Sequence, residues 1–299
     1  MRVFVTGASG HIGSAVVPEL IAAGHQVVGL ARSDASAAAL AAAGAEVRRG
    51  ELDDLDGLRA AAAAADGVIH LAFKHDLAFS GDYAGAVAAD LRAVEAIGAA
   101  LEGTGKPFVH TSGTAMIAAT ARGRAGVEAD DSGGPRGASE QAGLALADRG
   151  SRASVVRLAP TVHSALDRSG FVPSLVALAR KHGRSVYVGD GANRWPAVHT
   201  LDAARLYRLG LESAPAGARL HAAADEGVPF RAIAEAIGRG VGVPAQSVSV
   251  EEAGAALGFL AGFAQVDNPT SSARTRELVG WQPTHPDLLA DLAATHYFA

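Results

Sequence analysis

A glycine-rich segment near the start of the chain carries the strongest chemical signal in the sequence. It directly follows the apolar run Val3–Val5 and has the spacing Thr6-Gly7-x-x-Gly10-x-x-Gly13. Gly7 permits a tight turn, Gly10 a close approach of a pyrophosphate, and Gly13 close packing of a helix on a strand. A helix that starts here presents free N–H groups and the positive end of its dipole to phosphates. The residues expected to contact a dinucleotide are Gly7, Ser9, Gly10, His11, Ile12 and Gly13.

The end of the second apolar run bears on the choice between the two nicotinamide cofactors. An Asp or Glu at this position commonly accepts hydrogen bonds from the adenosine ribose of NAD. Here Ala31 holds that position, and Arg32 and Ser33 follow it. A guanidinium and a hydroxyl suit the 2′-phosphate of NADP. We therefore expect NADP(H), with Arg32 and Ser33 as ligands, while the nearby Asp34 keeps NAD as the alternative.

Four polar side chains follow the ends of later apolar runs, where ligands lie in open α/β sheets. Ser112 is a candidate hydrogen-bond donor to a substrate carbonyl. Lys74 and His75 follow the fourth run and His163 follows the sixth, and each is a candidate proton donor. For each the alternative is an ordinary loop or core residue. Trp195 is either a wall of the substrate site or part of the core.

Short apolar runs alternate with alanine-rich helical stretches and predict the scaffold that positions these groups. Runs that are apolar at consecutive positions are typical of parallel strands buried on both faces. The expected strands are Val3–Val5, Gln26–Leu30, Ala45–Arg48, Val68–Leu71, Phe108–Thr111 and Ala153–Leu158. The expected helices are Ile12–Ala23, Ala35–Ala43, Leu55–Ala64, Tyr83–Leu101 and Ala138–Arg149. The order predicts an α/β protein with a Rossmann-type, doubly wound parallel sheet.

The alternation changes after Pro160, and this change predicts the domain organisation. A helix at 171–182 and a strand at 185–188 lie outside the repeating pattern, whereas a helix at 201–211 and a strand at 218–222 return to the sheet. We expect a dinucleotide-binding core over 1–160, rejoined by about 199–225. Residues 161–198 and 226–299 are expected to form a small, discontinuous lobe on the substrate side.

Composition excludes several other classes of protein. The 299 residues are 49% hydrophobic and 19% charged, as in soluble globular proteins. A net charge of −5 offers no basic face to nucleic acid or to an anionic membrane. The absence of cysteine excludes disulfides and thiolate chemistry, and the scattered histidines predict no metal site. No apolar stretch has the length of a membrane span or signal peptide, so we expect a cytoplasmic protein.

The sequence resembles the short-chain dehydrogenase/reductase superfamily, in its extended-to-atypical branch of epimerase/dehydratase-like and 3β-hydroxysteroid-dehydrogenase-like proteins. The resemblance covers nearly the whole chain and rests first on the glycine motif. Further matching segments are Val109–Gly113, Val156–Pro160, Val198–Asp202, Val228–Ala234 and Leu278–Pro283. The resemblance implies an adenine contact at Asp53 and cofactor contacts at strand ends. These strand-end residues are Leu71, Ala72, Phe73, Thr111 and Pro160.

The sequence departs from the superfamily at the residues that carry its chemistry. The reductases of the superfamily use a tyrosine and, one helical turn later, a lysine. No Tyr-x-x-x-Lys occurs in this chain, and the matching segment places Arg136 and Glu140 at the two positions. Arginine is not a general acid near neutral pH. At this spacing Arg136 and Glu140 are expected to form an ordinary ion pair without a chemical role.

Three functions are compatible with this pattern. The favoured one is an NADP(H)-dependent oxidoreductase that reduces a small-molecule carbonyl, or an imine, with a non-standard proton donor. The second is a catalytically silent NADP(H)-binding redox sensor. The third is a nucleotide-sugar epimerase or dehydratase, against which the missing tyrosine counts most. The superfamily resemblance also suggests a homodimer through the helices around Tyr83–Leu101 and Ala138–Arg149.

Overall fold

The computed structural model describes residues 1–121 and 123–299, and a parallel sheet of seven strands lies at its centre. The strands of all sheets, in chain order, are β1 (Arg2–Thr6), β2 (Gln26–Ala31), β3 (Glu46–Arg49), β4 (Gly67–His70), β5 (Pro107–Gly113), β6 (Arg152–Leu158), β7 (Thr161–His163), β8 (Ser185–Val188), β9 (Arg194–His199), β10 (Ala218–Ala222), β11 (Asp225–Pro229) and β12 (Ala245–Val248). The central sheet has the order β10-β6-β5-β4-β1-β2-β3. The predicted doubly wound Rossmann-type sheet is confirmed.

Helices follow most strands of this sheet and cover both of its faces. The helices of the described residues, those of the lobe included, are α1 (Gly13–Ala22), α2 (Asp34–Ala42), α3 (Leu55–Ala64), α4 (His75–Phe79), α5 (Tyr83–Leu101), α6 (Ala118–Ala121), α7 (Gly137–Leu144), α8 (Phe171–His182), α9 (Thr200–Ser213), α10 (Phe230–Val241), α11 (Val250–Leu257), α12 (Ala273–Val279) and α13 (Leu288–Ala293). Helix α7 ends five residues before the predicted Arg149, because residues 145–150 form turns.

The continuous apolar run of β1 reflects burial on both faces of the sheet. Val3 and Val5 point to one face and join a core cluster with α1 and α9, whereas Phe4 points to the other and packs with α3 and α5. All three side chains are at most 1% exposed. Successive residues of a strand face opposite sides, so a strand covered by two layers of helices is apolar throughout.

The direction of winding reverses between β1 and β4, and this reversal places the ligand site. The two strands pair in parallel, with Thr6 opposite His70 at their carboxyl ends. In doubly wound sheets, ligands bind in the crevice outside the strand ends at such a reversal. The glycine turn and the loop after β4 therefore border the same crevice.

A second hydrophobic cluster forms the lobe. It contains α8, α10, α11 and α13, together with the small sheets β11-β9-β7 and β12-β8. Trp195 is 1% exposed in this cluster, and its indole N–H donates to the carbonyl of Phe263 over 3.1 Å. The structure therefore places Trp195 in the core of the lobe and not on the surface of a substrate site.

One C-terminal segment differs from the domain division expected from the sequence. Trp281 is fully buried in the Rossmann core, where its indole N–H donates to the carbonyl of Asp202 over 2.9 Å. Helix α12 packs beside it against β10 and α9. The segment around residues 273–281 therefore belongs to the core, although the sequence order assigned it to the lobe. The described residues include no helix with the length and apolar character needed to cross a bilayer.

Candidate functional site

The glycine turn between β1 and α1 is sterically fixed at two of its glycines. Gly7 has φ +66°, and a Cβ on it would lie 2.7 Å from the backbone nitrogen of Ala72. A Cβ on Gly13 would lie 2.2 Å from the carbonyl oxygen of Gly7. Both contacts are shorter than carbon can tolerate, so the turn and the start of α1 require glycine at these positions.

The same turn presents unpaired backbone donors at the start of α1. Ile12 caps this helix without any side-chain hydrogen bond. Among the described residues, the N–H groups of His11 and Ile12 have no acceptor. Unpaired N–H groups at a helix N-terminus favour an anion such as a diphosphate. The turn therefore fits the pyrophosphate of a nicotinamide dinucleotide.

The tip of β2 carries the groups expected for a 2′-phosphate. Arg32 is exposed and pairs with Asp76 of α4 at 3.1 Å. The hydroxyl of Ser33 accepts from the backbone N–H of Ser36 and caps α2, so its free capacity is limited. Arg49 donates to the carbonyl of Ser33 and to Asp34 over 2.5 and 2.8 Å.

Arg49 is a candidate phosphate ligand that the sequence reasoning missed. Its signal lies in the register of the sheet, because Ala31 at the end of β2 lies opposite Arg49 at the end of β3. Neighbouring parallel strands end at the same edge, so a basic residue that ends β3 lies beside the tip of β2. Arg49 also forms an ion pair with the Asp34 carboxylate. This carboxylate was the reason to keep NAD as the alternative cofactor.

Lys74 and Asp53 form an ion pair outside the end of the sheet. A second cation, Arg92, lies 3.8 Å from the same carboxylate. The resemblance predicted Asp53 as an adenine contact, so the Lys74 ammonium lies at the adenine end of the expected site. The Lys74 ammonium is thus engaged by Asp53, and its role as proton donor stays a prediction.

Arg136 and Glu140, which replace the tyrosine and lysine of the superfamily, have separate partners. The expected ion pair between them is wrong. Arg136 Nη2 lies 3.4 Å from Asp90 Oδ2 and donates to the carbonyl of Thr111 over 3.1 Å. Glu140 instead pairs with Arg157 at 2.5 Å in the interior. Arg136 precedes α7 as its N-cap residue and Glu140 lies in the first turn, and each side chain contacts a different buried partner of opposite charge.

A chain of buried polar groups connects Arg136 to the glycine turn. The hydroxyl of Thr6 and Nδ1 of His70 are 2.8 Å apart, and Nε2 of His70 lies 3.4 Å from Oδ1 of Asp90. Burial alone would raise the pKa of Asp90, but His70 and the charge of Arg136 outweigh it and lower this pKa to about 2. Asp90 is therefore a carboxylate at all ordinary pH values and holds the Arg136 guanidinium in place.

Part of the Arg136 guanidinium remains available to a ligand. Its carbon lies 4.4 Å above the ring of Phe73, and the side chain is 16% exposed. Nε is buried without a partner. Among the described residues Nη1 has no acceptor either, and it is not enclosed. The strand edge therefore offers a fixed cation with an open N–H donor at the position where the superfamily has its tyrosine.

Glu140 and Arg157 form a buried structural network. Arg157 donates from Nε and Nη2 to Glu140, and Ser132 donates to the same carboxylate over 2.6 Å. Burial opposes ionisation of Glu140, but Arg157 outweighs it and keeps the pKa of this carboxyl below its usual value. Ser112 is 3% exposed beside Glu140. Its hydroxyl has no hydrogen-bond partner among the described residues, so the role of Ser112 as a substrate ligand stays a prediction, which its burial disfavours.

The remaining predicted cofactor contacts lie at the carboxyl ends of β4, β5 and β6. Leu71 and Ala72 border the glycine turn through hydrogen bonds from their N–H groups to Thr6. The hydroxyl of Thr111 donates to the carbonyl of His70 over 2.7 Å and accepts from Tyr207. The Thr111 hydroxyl therefore has no proton left to donate to a cofactor. Phe73 and Pro160 are half-buried at the same edge.

The two histidine candidates have different surroundings. His75, the first residue of α4, is exposed between the rings of Phe73 and Phe79, at centroid distances of 5.0 and 5.8 Å. His163 is fully buried, and its Nδ1 lies 2.9 Å from Asp291. The structure contradicts His163 as proton donor, because it is enclosed between the lobe and the core. His75 remains a candidate.

The described residues contain no group of three or more His, Asp or Glu side chains arranged to hold a metal ion. Arg136, held by its buried partners, and the exposed His75 lie at the strand edge. The sequence identified the glycine turn and His75 but assigned Arg136 no role. The signal for Arg136 was its place in the superfamily motif.

Comparisons with known proteins agree with this architecture. The sequence pattern described as the NAD dependent epimerase/dehydratase family matches residues 3–222. A dTDP-glucose 4,6-dehydratase of Streptomyces venezuelae, solved with NAD and DAU bound, superposes with a TM-score of 0.77 at 20% identity. The superposition covers 100% of this chain and 96% of that one. This likeness concerns the fold.

Two relatives are similar in sequence. An uncharacterized protein of Schizosaccharomyces pombe is 48% identical over 301 residues, which cover 100% of both chains. A 2'-dehydrokanamycin reductase of Streptomyces kanamyceticus is 31% identical over 256 residues, covering 84% of this chain and 69% of that one.

Proposed function

The chain belongs to the NAD-dependent epimerase/dehydratase family, and on that premise we propose that it is an NADP(H)-dependent oxidoreductase that reduces a small-molecule carbonyl compound. One observation carries the proposal. Arg136 stands at the position of the superfamily tyrosine, is fixed by the buried Asp90, and keeps an open N–H donor. A relative described as a reductase supports the same class of reaction.

The cofactor is held by two groups of residues. The N–H groups of His11 and Ile12 bind its pyrophosphate at the start of α1. Arg32, Arg49 and the start of α2 bind the 2′-phosphate, which favours NADP(H) over NAD(H) because an arginine stands at the end of each of the neighbouring strands β2 and β3. When bound, NADPH supplies a hydride to the carbonyl carbon of the substrate.

Arg136 stabilises the charge that develops on the substrate oxygen. As the carbonyl carbon gains a hydride, its oxygen becomes an alkoxide, and Nη1 of Arg136 donates a hydrogen bond to it. Asp90 and the carbonyl of Thr111 hold the guanidinium from behind, so it needs no reorganisation during the reaction. The alkoxide then takes a proton from water and leaves as an alcohol.

His75 relays that proton. Desolvation and the charge of Arg136 lower the pKa of His75 and favour its neutral imidazole. A neutral imidazole can donate one proton to the alkoxide and take another from solvent on its opposite nitrogen. Its exposed position at the start of α4 gives it contact with water.

The same geometry disfavours the other reactions. The reactions of this superfamily take the substrate's hydroxyl proton at the tyrosine position, and the guanidinium of Arg136 cannot accept one there. An iminium substrate carries a positive charge that Arg136 would repel. A carbonyl, which becomes negatively charged at oxygen, is the substrate that this cation suits.

Deuterium transfer tests the proposal. The protein, saturated with NADPH carrying deuterium at both C4 positions, is incubated with a panel of aldehydes and ketones, and the alcohols are analysed by mass spectrometry. We expect one deuterium per alcohol formed and one NADPH oxidised per alcohol. If the folded protein binds NADPH, as judged by cofactor fluorescence, but transfers no deuterium to any carbonyl, the proposed function is wrong.

A further inference from the structure

The exposed aromatic side chains of the protein are gathered beside Arg136. Among the described residues, the large aromatic side chains that are exposed to solvent are Phe79, Tyr83 and Phe259. Single exposed apolar residues are ordinary, whereas a contiguous exposed group of them marks a binding surface. Phe73, Phe79 and Tyr83 from the core and Phe171 and Phe259 from the lobe are together called the aromatic wall.

The aromatic wall is continuous from the core to the lobe. Phe79 of α4 and Phe259 of the lobe have ring centroids 4.8 Å apart, although their side chains are 55% and 50% exposed. Phe171 at the start of α8 lies 6.3 Å from Phe259, and Tyr83 lies 6.3 Å from Phe73. Two elements that are distant in sequence thus present open ring surface to the same place.

The wall also reaches the proposed oxygen-binding group. The Arg136 guanidinium stacks over Phe73, and His75 connects Phe73 to Phe79 through its own ring. A substrate whose oxygen contacts Arg136 therefore has the ring surfaces of the wall next to the remainder of its body.

We propose that the substrate is an uncharged, flat aromatic or conjugated carbonyl compound whose ring stacks on the aromatic wall while its oxygen contacts Arg136. This inference rests on the proposed function. Aromatic side chains favour flat rings in offset or edge-to-face contact. Among the described residues, the one cation over a ring of this wall is Arg136, which is already balanced by Asp90. A nucleotide diphosphate would need further cations beside the wall to offset its charge.

A matched pair of aldehydes tests the substrate class. Benzaldehyde and cyclohexanecarbaldehyde have the same number of carbons, but benzaldehyde alone is flat and conjugated. We expect kcat/KM with NADPH to be roughly 10-fold higher for benzaldehyde, as ring stacking would give. Phe259→Leu should reduce this preference to about 2-fold or less, by lowering kcat/KM for benzaldehyde alone. Val250→Ala, at an exposed position of the same lobe, is the control and should change neither value.

A binding measurement separates this inference from the proposed function. Benzamide and cyclohexanecarboxamide have the same shapes as the aldehydes but are not reduced, and calorimetry gives their Kd for the NADPH complex. Tighter binding of benzamide that Phe259→Leu abolishes supports the aromatic site, even if no carbonyl is reduced and the proposed function fails. Equal binding of the two amides, equal losses in Phe259→Leu, or tighter binding of UDP-glucose than of benzamide would overturn the inference, even if aldehydes are reduced.

Discussion

The guanidinium of Arg136 and the carboxylate of Asp90 form an ion pair at the carboxyl end of the central sheet, with Nη2 and Oδ2 3.4 Å apart. The Asp90 side chain is 1% exposed, so water does not compete with Arg136 for its carboxylate. Through His70 this carboxylate is also connected to Thr6, the last residue before the glycine turn. The group proposed to bind the substrate oxygen and the turn proposed to bind the cofactor are therefore parts of one buried polar network.

Removal of either Arg32 or Arg49, at the ends of β2 and β3, should weaken the binding of NADPH but not that of NADH. Arg32→Ala and Arg49→Ala each remove a charged donor to the 2′-phosphate, so each should raise the Kd of NADPH by about 10-fold or more. The Kd of NADH should change by less than about 2-fold, because NADH lacks this phosphate. Both values can be measured by titration of cofactor fluorescence.

Arg59→Ala is the matched control for the two cofactor variants. Arg59 is an exposed arginine of α3 whose carboxylate partner, Asp56, lies on the same helix. It should leave both dissociation constants unchanged. Equal losses of NADPH and NADH affinity in Arg32→Ala and Arg49→Ala would contradict the assignment of the 2′-phosphate site.

The buried pair Glu140–Arg157 should dominate the stability of the segment that carries Arg136. Glu140→Leu leaves the fully buried Arg157 without its partner and should lower the free energy of unfolding by about 3–5 kcal/mol. The double variant Glu140→Leu/Arg157→Met should recover a large part of this loss, because no buried charge is left. Urea denaturation of the two single variants and the double variant measures the coupling.

An exposed pair of the same charges provides the comparison. Arg231 and Glu235 lie one helical turn apart on α10, and Arg231→Ala should lower the free energy of unfolding far less than Glu140→Leu does. Additive effects of Glu140→Leu and Arg157→Met would show that the buried ion pair is not coupled and would contradict the account.

Asp167 should make stability depend on pH. Burial raises the pKa of Asp167 from 3.8 to about 6, and its carboxylate lies 3.6 Å from His11 of the glycine turn, whose own pKa burial lowers to about 4. Between pH 3.8 and about 6, the Asp167 carboxyl is mostly ionised in the unfolded chain but still protonated in the folded chain. The contribution of Asp167 to the free energy of unfolding should therefore fall as the pH rises from about 4 to 7, in opposition to that of His11, whose lowered pKa makes its contribution rise.

Asp167→Asn isolates this contribution because asparagine does not ionise and still accepts from the N–H of Gly170. Relative to the wild type, this variant should gain little stability at pH 4 and roughly 2–3 kcal/mol at pH 8. Asp56→Asn, at a fully exposed carboxylate, is the control. A gain from Asp167→Asn that is the same at both pH values would contradict the raised pKa.

Local patterns were sufficient for the scaffold and the glycine turn. Helices α5 and α8 have the predicted bounds, since long alanine-rich or amphipathic stretches between short apolar runs leave few alternatives. The glycine spacing predicts positions where a Cβ would not fit, and the structure has such positions at Gly7 and Gly13. Both signals lie within a few residues of the chain.

The partners of the charged residues were not predictable in the same way. Asp90 lies 46 positions before Arg136 in an alanine-rich helix, where a charge is ordinarily solvated. Glu140 pairs with Arg157 on a neighbouring strand and not with Arg136 one turn away, because an ion pair is less screened by water when both partners are buried. Such pairings depend on the packing of α5, α7 and β6, which local spacing does not contain.

The role of Arg136 is tested most directly by the kcat of Arg136→Met for a reducible carbonyl, with the Kd of NADPH measured on the same sample. Loss of the donor to the alkoxide should lower kcat by about 100-fold while the Kd of NADPH stays within about 2-fold. Arg136→Lys, which keeps the charge, should retain part of the activity, and Arg231→Met in the lobe should retain all of it. A kcat for Arg136→Met equal to that of the wild type, with NADPH bound normally, would contradict the account.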